Sequence, residues 1–332
     1  SHLDFEQAKA EQLRALANKK KQGVFGQAMS VIQTLVTVPS WDDEAVGETT
    51  RHATMEGFRQ YLHAMRRDLR VTMFGFGNVA PNDMLAMALS VRPYVGPEAG
   101  QQPIARRILP RPGVVADYQK DSVLEDSALV ELFLDPEPGP RSKAHVLLLE
   151  GLLSIRFYSQ LRTVEQLGYV ATTLPVMFAH CAGIGFGVQS PVQGTAGLAD
   201  RFDSFYFRAL TQMREITPQE FEGVRQGVLA SLQKTPDTLD EEFGWLETDL
   251  RLGNAAFDGR NRLVQAVEKA SLAEVVRRYE TLVAGPGGTR VRVQVQGTRF
   301  ASFGWAKKSG AVQTPGSDAF HRLMGEQRYR GL

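Results

Sequence analysis

A chain of 332 residues with 43% apolar and 23% charged residues is long enough for two domains and too polar on average for a membrane protein. Its net charge of +1 leaves no electrostatic footprint for nucleic-acid binding, and no apolar run reaches the ~18 residues of a membrane span. Cys181 is the single cysteine, which excludes an intrachain disulfide and a cysteine-based metal cluster, suits a cytoplasmic setting and leaves a periplasmic one open.

In chain order, apolar residues at helical spacing predict helices over 5–18, 24–36 and 54–65, and the alternation over 70–75 predicts a strand. The Pro- and Gly-dense stretch 97–113 reads as a linker. A short strand is predicted over 128–134, then the breaker DPEPGP, a long helix over 143–161, and strands over 169–176 and 183–189. The second of these strands alternates glycine with Ile, Phe and Val, a pattern for close backbone packing. Helices over 198–213, 218–233, 239–252, 260–269 and 272–283 follow, then a closing strand over 289–296. Thr217 and Glu220 form a T-x-x-E capping box ahead of the Phe221 helix. These elements predict an α+β fold in which helices cover one side of a mostly antiparallel sheet.

The chain also repeats itself. FEQAKAEQLRALAN from Phe5 aligns with FEGVRQGVLASLQK from Phe221, EGFRQYLHAM from Glu56 with EVVRRYETLV from Glu274, and LRVTMFGFGN from Leu69 with TRVRVQVQGT from Thr289. The offsets are 216, 218 and 220 residues, so the three matches stay in order and in step. They predict two homologous units, one over residues 1–112 and one over 113–300, with a C-terminal extension over 301–332. The first unit lacks the counterpart of everything before the Phe221 helix. It is therefore expected to be incomplete at its N-terminus, with ~100 residues or more upstream, the scale of a domain.

Little conventional chemistry is visible. The histidines are His2, His52, His63, His145, His180 and His321, and no two have the spacing of H-E-x-x-H or H-x-x-E-H. Adjacent strand residues face opposite ways, so His180 and Cys181 are poorly placed as a catalytic pair, and Cys181 reads as a small buried thiol. G-x-S-x-G and P-loop patterns are absent, and GIGFGVQ has the wrong glycine spacing for a dinucleotide fingerprint. Asp240, Glu241 and Glu242 suit the positive end of a helix dipole.

One stretch stands apart. FYSQLRTVEQLGYV, residues 157–170, ends a long apolar helix with Arg162 and opens a strand with Tyr169. It resembles the signature F-Y-x-x-L-R-T-x-x-Q-L-G-Y of the C-terminal half of the insulysin/pitrilysin family of zinc metallopeptidases, the inverzincins. FGN at 76–78, EDSALVELF from Glu125, TPQEF from Thr217 and KTPDTLDEEFGWL from Lys234 are similar to the same family in the same order. The resemblance implies the third, truncated family domain followed by the whole fourth. It also implies a zinc endopeptidase whose metal lies on an H-x-x-E-H motif in the missing N-terminal half, with no metal or other cofactor held by this chain.

The resemblance assigns Arg162 and Tyr169 as the catalytic contacts to substrate and oxyanion. The implied partners are that N-terminal half and a peptide or small-protein substrate, with neither nucleic acid nor membrane. One branch of the family processes the precursor of pyrroloquinoline quinone, and the Ala- and Arg-rich composition suits a bacterial source. The alternative is a catalytically inactive peptide-binding or assembly subunit of the same architecture. The stretch EDSALVELFLDPEPGPRSK is shorter and richer in proline than is usual for the family.

Overall fold

The computed structural model describes residues 2–67, 69, 71–94, 104–177 and 181–330. His180 and most of the expected linker lie outside the described residues. The N-terminal part is helical: α1 (His2–Lys19), α2 (Val24–Val36), α3 (Asp43–His52), α4 (Met55–Arg67) and α5 (Pro81–Val91). Strands β1 (Ile104–Ile108), β2 (Val115–Asp121) and β3 (Ser127–Asp135) come next, then α6 (Pro140–Tyr158), β4 (Val170–Met177) and β5 (Ala182–Ser190). Helices α7 (Thr195–Arg214), α8 (Pro218–Gln233), α9 (Leu239–Arg251), α10 (Gly259–Lys269) and α11 (Leu272–Leu282) precede β6 (Thr289–Gln296). The tail adds β7 (Val312–Gln313), α12 (Ser317–Met324) and β8 (Glu326–Arg330).

The main sheet has the order β4-β5-β3-β6-β2-β7. Antiparallel pairs join β4 to β5, β5 to β3 and β3 to β6, whereas β2 runs parallel to β6 and to β7. The fold is the expected α+β class with a mostly antiparallel sheet, but helices cover both faces. Leu129, Phe133, Ile184, Phe186 and Val188 pack on one side against α6, α7 and α11. Val130, Leu132, Val291, Val293 and Val295 pack on the other against α2 and α12. Strand β3 is accordingly buried along its whole length.

Three other expectations are corrected. Residues 71–76 form no strand, because no neighbouring strand lies beside them among the described residues. Phe74 instead stacks on Phe257 at 5.5 Å between ring centroids and packs against Phe243 at 5.8 Å. Among the described residues the first repeat unit thus contributes helices and, near its end, the single strand β1. The end of the expected linker contains β1, which pairs antiparallel with β8. The tail is part of the core: Ala306 N donates to Gln294 Oε1 at 2.8 Å, Thr314 N to Asp117 O at 2.8 Å, and the His321 ring meets Leu35 O at 2.9 Å.

Local rules account for the helix starts. Thr217 Oγ1 accepts from Glu220 N at 3.1 Å, and Ser271 and Glu274 form a complete capping box at α11. That box holds the Glu274 carboxyl down at about 2, chiefly through the Ser271 backbone and hydroxyl hydrogen bonds.

Candidate functional site

Helix α6 does not stop at Tyr158; it widens into one π-helical turn over Ser159–Val164. Glu165 N donates to Gln160 O and Leu167 N to Leu161 O, both at 2.9 Å. Phe157 anchors the helix end in an aromatic cluster, with ring centroids 5.2 Å from Phe186, 5.4 Å from Phe202 and 5.0 Å from Phe205. With Phe157 and Leu161 committed to the core, Tyr158 and Arg162 fall on the outer side of the turn.

The bend into β4 is tightly specified. Gln166 adopts φ 53°, and a Cβ on Gly168 would lie 1.9 Å from Gln189 O, so no other residue fits there without moving β5. The buried Ser190 hydroxyl donates to Leu167 O and accepts from Gln193 N at 3.0 Å, pinning the bend from the far side. Tyr169 then leaves the bend with 83% of its surface exposed. A tyrosine anchored on so rigid a base and left in water is not there to fill a core.

Arg162 sits between two rings. Its guanidinium carbon is 4.9 Å from the Tyr158 centroid and 5.6 Å from the Tyr169 centroid. No carboxylate lies within ion-pair distance of it among the described residues. Glu165, three residues on, is engaged by Gln160 at 2.5 Å and faces Arg201 at 3.6 Å. The guanidinium is therefore oriented by stacking while its N–H donors have no acceptor among the described residues, and the Tyr169 ring stands beside it. Such a pair can donate hydrogen bonds to a peptide carbonyl or to an oxygen that gains negative charge.

The structure thus brings the two predicted residues together, seven positions apart in sequence. Tyr158 was not among them, although its i, i+4 relation to Arg162 marks it as a helix neighbour. Cys181 is buried, as a small structural thiol. Among the described residues, no group of three His, Cys, Asp or Glu side chains is placed to hold a metal ion. No helix is long and apolar enough to cross a membrane among the described residues.

The solved structure of pitrilysin superimposes with a TM-score of 0.92 over 99% of this chain and 35% of that one, at 23% identity. A peptidase M16 inactive domain from Pseudomonas fluorescens matches with a TM-score of 0.62 at 12% identity, over 93% of this chain and 73% of that one. Protease 3 of Escherichia coli K12 is 26% identical over 295 residues, covering 89% of this chain. The chain spans 31% of the length of that relative. Sequence and fold are thus both similar to the C-terminal part of pitrilysin-type (M16) peptidases. Residues 148–246 match a family model described as PQQ synthase PqqF-like, C-terminal lobe domain 4.

Proposed function

We propose that this chain is the non-zinc-binding, C-terminal half of a zinc metalloendopeptidase that encloses and cleaves peptides or small proteins. Among the described residues no group of His, Cys, Asp or Glu is placed to hold zinc, and this reading assigns the metal to an N-terminal half. What this chain contributes is grip. Arg162 holds substrate carbonyls, and the Tyr169 phenol donates to the oxygen that becomes negatively charged as the peptide bond is attacked. The observation that carries this reading is the half-buried, ring-clamped Arg162, with no acidic partner among the described residues, next to an exposed Tyr169. The PqqF-like match over residues 148–246 favours the precursor peptide of pyrroloquinoline quinone as the substrate class.

The test is hydrolysis of a quenched fluorescent peptide by the chain alone, and by the chain mixed with a zinc-binding N-terminal half, with and without chelator. Activity in the mixture alone, abolished by chelator, is expected. Silence in a folded mixture would replace this reading with the non-catalytic, peptide-holding subunit.

A further inference from the structure

Tyr169 leads directly into β4, and β4 is the terminal strand of the sheet. A terminal strand keeps one row of backbone N–H and C=O groups unpaired. Which residues own that row follows from two independent observations.

The first is Pro175. It lies opposite Ile184 in an unbroken register with β5, and a proline fits a strand only where its missing N–H would have faced away from the neighbour. Backbone groups alternate sides along an antiparallel strand, so Ala171 and Thr173 also face outward.

The second runs from the opposite side of the sheet. Arg290 N donates to Val114 O at 2.9 Å and Ser122 N to Gln296 O at 2.8 Å, so the even-numbered residues of β6 face β2. The odd-numbered ones, such as Val293, face β3 and its Val130. Glu131 then faces β5 and Phe186, and Gly187 faces β4 and Thr172. Ala171 and Thr173 are again left pointing out.

The side chains of these two residues are already committed. Ala171 is 6% exposed within the α6-side core, and Thr173, 7% exposed, donates its hydroxyl to Glu150 Oε1 at 3.0 Å. Thr173 O receives the Thr172 hydroxyl at 3.0 Å, as expected of a carbonyl that β5 does not use. The N–H groups of Ala171 and Thr173 have no protein acceptor among the described residues, so they are available to an added strand.

We infer that the outer edge of β4 is a docking rail for extended peptide, which adds beside Ala171–Thr173 as a further strand and is halted at Pro175. This inference rests on the peptidase reading above and specifies how substrate reaches the Arg162–Tyr169 pair. Main-chain hydrogen bonds recognise backbone rather than sequence, so the occupant is an unstructured segment with free amides at alternate positions. Folded surfaces that cannot offer a free strand are excluded.

The experiment is fluorescence anisotropy of the protein with a labelled Ala/Thr/Leu peptide of about ten residues, which spans roughly 33 Å when extended. The parent peptide is compared with two versions N-methylated at alternate residues, one in each phase. One phase is expected to bind roughly tenfold more weakly, the scale of one or two lost hydrogen bonds, and the other like the parent. On the protein side, Thr173→Pro removes an outward N–H without touching the β5 ladder and should weaken binding by a similar factor.

Equal binding of the parent and both methylated peptides, or unchanged binding by a folded Thr173→Pro variant, overturns the rail. If Thr173→Pro does not fold, the methylated pair decides on the unmodified protein. The peptidase reading fails separately: Arg162→Ala and Tyr169→Phe with full turnover would remove it while leaving a phase-dependent peptide rail standing.

Discussion

Two groups of arginines sit on this fold in opposite circumstances. Arg290 and Arg292 lie beneath α7 with carboxylates in hand: Glu131 takes Arg292 Nε at 2.7 Å and also the Arg290 guanidinium, while Asp203 holds Arg290 at 2.9 Å. Glu131 is fully buried and also accepts from the Tyr206 hydroxyl at 3.0 Å. Burial and the neighbouring Glu131 charge push the Tyr206 phenol well up from its ordinary value. Arg162, at the far end of α6, has two aromatic rings and no acid. An arginine enclosed by its own acids belongs to the fold, whereas one held by rings with its donors left open is available to something else.

The comparison breaks most visibly at Glu131. Glu131→Ala leaves two buried guanidinium groups without their shared carboxylate and should cost about 3–5 kcal/mol of stability in urea denaturation. Arg162→Ala should cost about 1 kcal/mol by the same measurement, the scale of cation–π contacts at a partly exposed site. In the reconstituted peptidase that same variant, and Tyr169→Phe, should lower peptide turnover by about a hundredfold. Tyr158→Leu sharpens the contrast. It keeps both contact residues and removes one ring of the clamp, so a loss of roughly tenfold or less in turnover is expected, in proportion to one cation–π contact.

A smaller effect separates buried from exposed histidines. His145 is 2% exposed, and its two ring nitrogens have no hydrogen-bond partner among the described residues. Burial, then the charges of Arg278 and Arg141, lower its pKa below the ordinary value of 6.5. Since the unfolded chain takes up the proton more readily, stability from neutral His145 is present above pH ~6.5 and declines as pH falls toward the lowered value. His145→Leu should flatten the melting temperature between pH 7 and pH 5, a window of roughly the intrinsic histidine titration. Glu274 acts lower on the scale. Its depressed pKa of about 2 gives stability that is intact above pH ~4.5 and lost as pH falls toward 2; Ser271→Ala removes the hydroxyl bond and should weaken that dependence, while the Ser271 backbone N–H and Arg141 retain part of it.

The legible part of this molecule was the part where local rules and tertiary structure agree. The helix α2 and the helix α8 have the bounds that their apolar spacing predicts, and a single motif suffices to put Arg162 and Tyr169 forward as a candidate pair. The strand β2 was invisible because V-A-D-Y-Q-K-D carries a buried Asp117, whose carboxylate is satisfied by the amides of Gln119, Gln294 and Gln313 from across the sheet. Residues 71–76 show the reverse error, an alternating pattern with no partner strand to realise it. The second helical layer was missed for the same reason: the glycines of β5 could be read as close packing, but not that Phe25 of α2 fills the space a Cβ on Gly187 would need. Tyr158 was hidden by chemistry that looks like ordinary packing. Its role is visible once the π-helical turn puts its ring under Arg162.

The most direct test is a paired measurement on Arg162→Ala, with urea stability and peptide turnover determined on the same reconstituted preparation. Stability within about 1 kcal/mol of the parent together with a turnover loss of about a hundredfold is the predicted result. A variant that loses stability in proportion to its activity, or keeps full turnover, would show Arg162 to be another structural arginine and contradict the assignment of this corner as the substrate-gripping site.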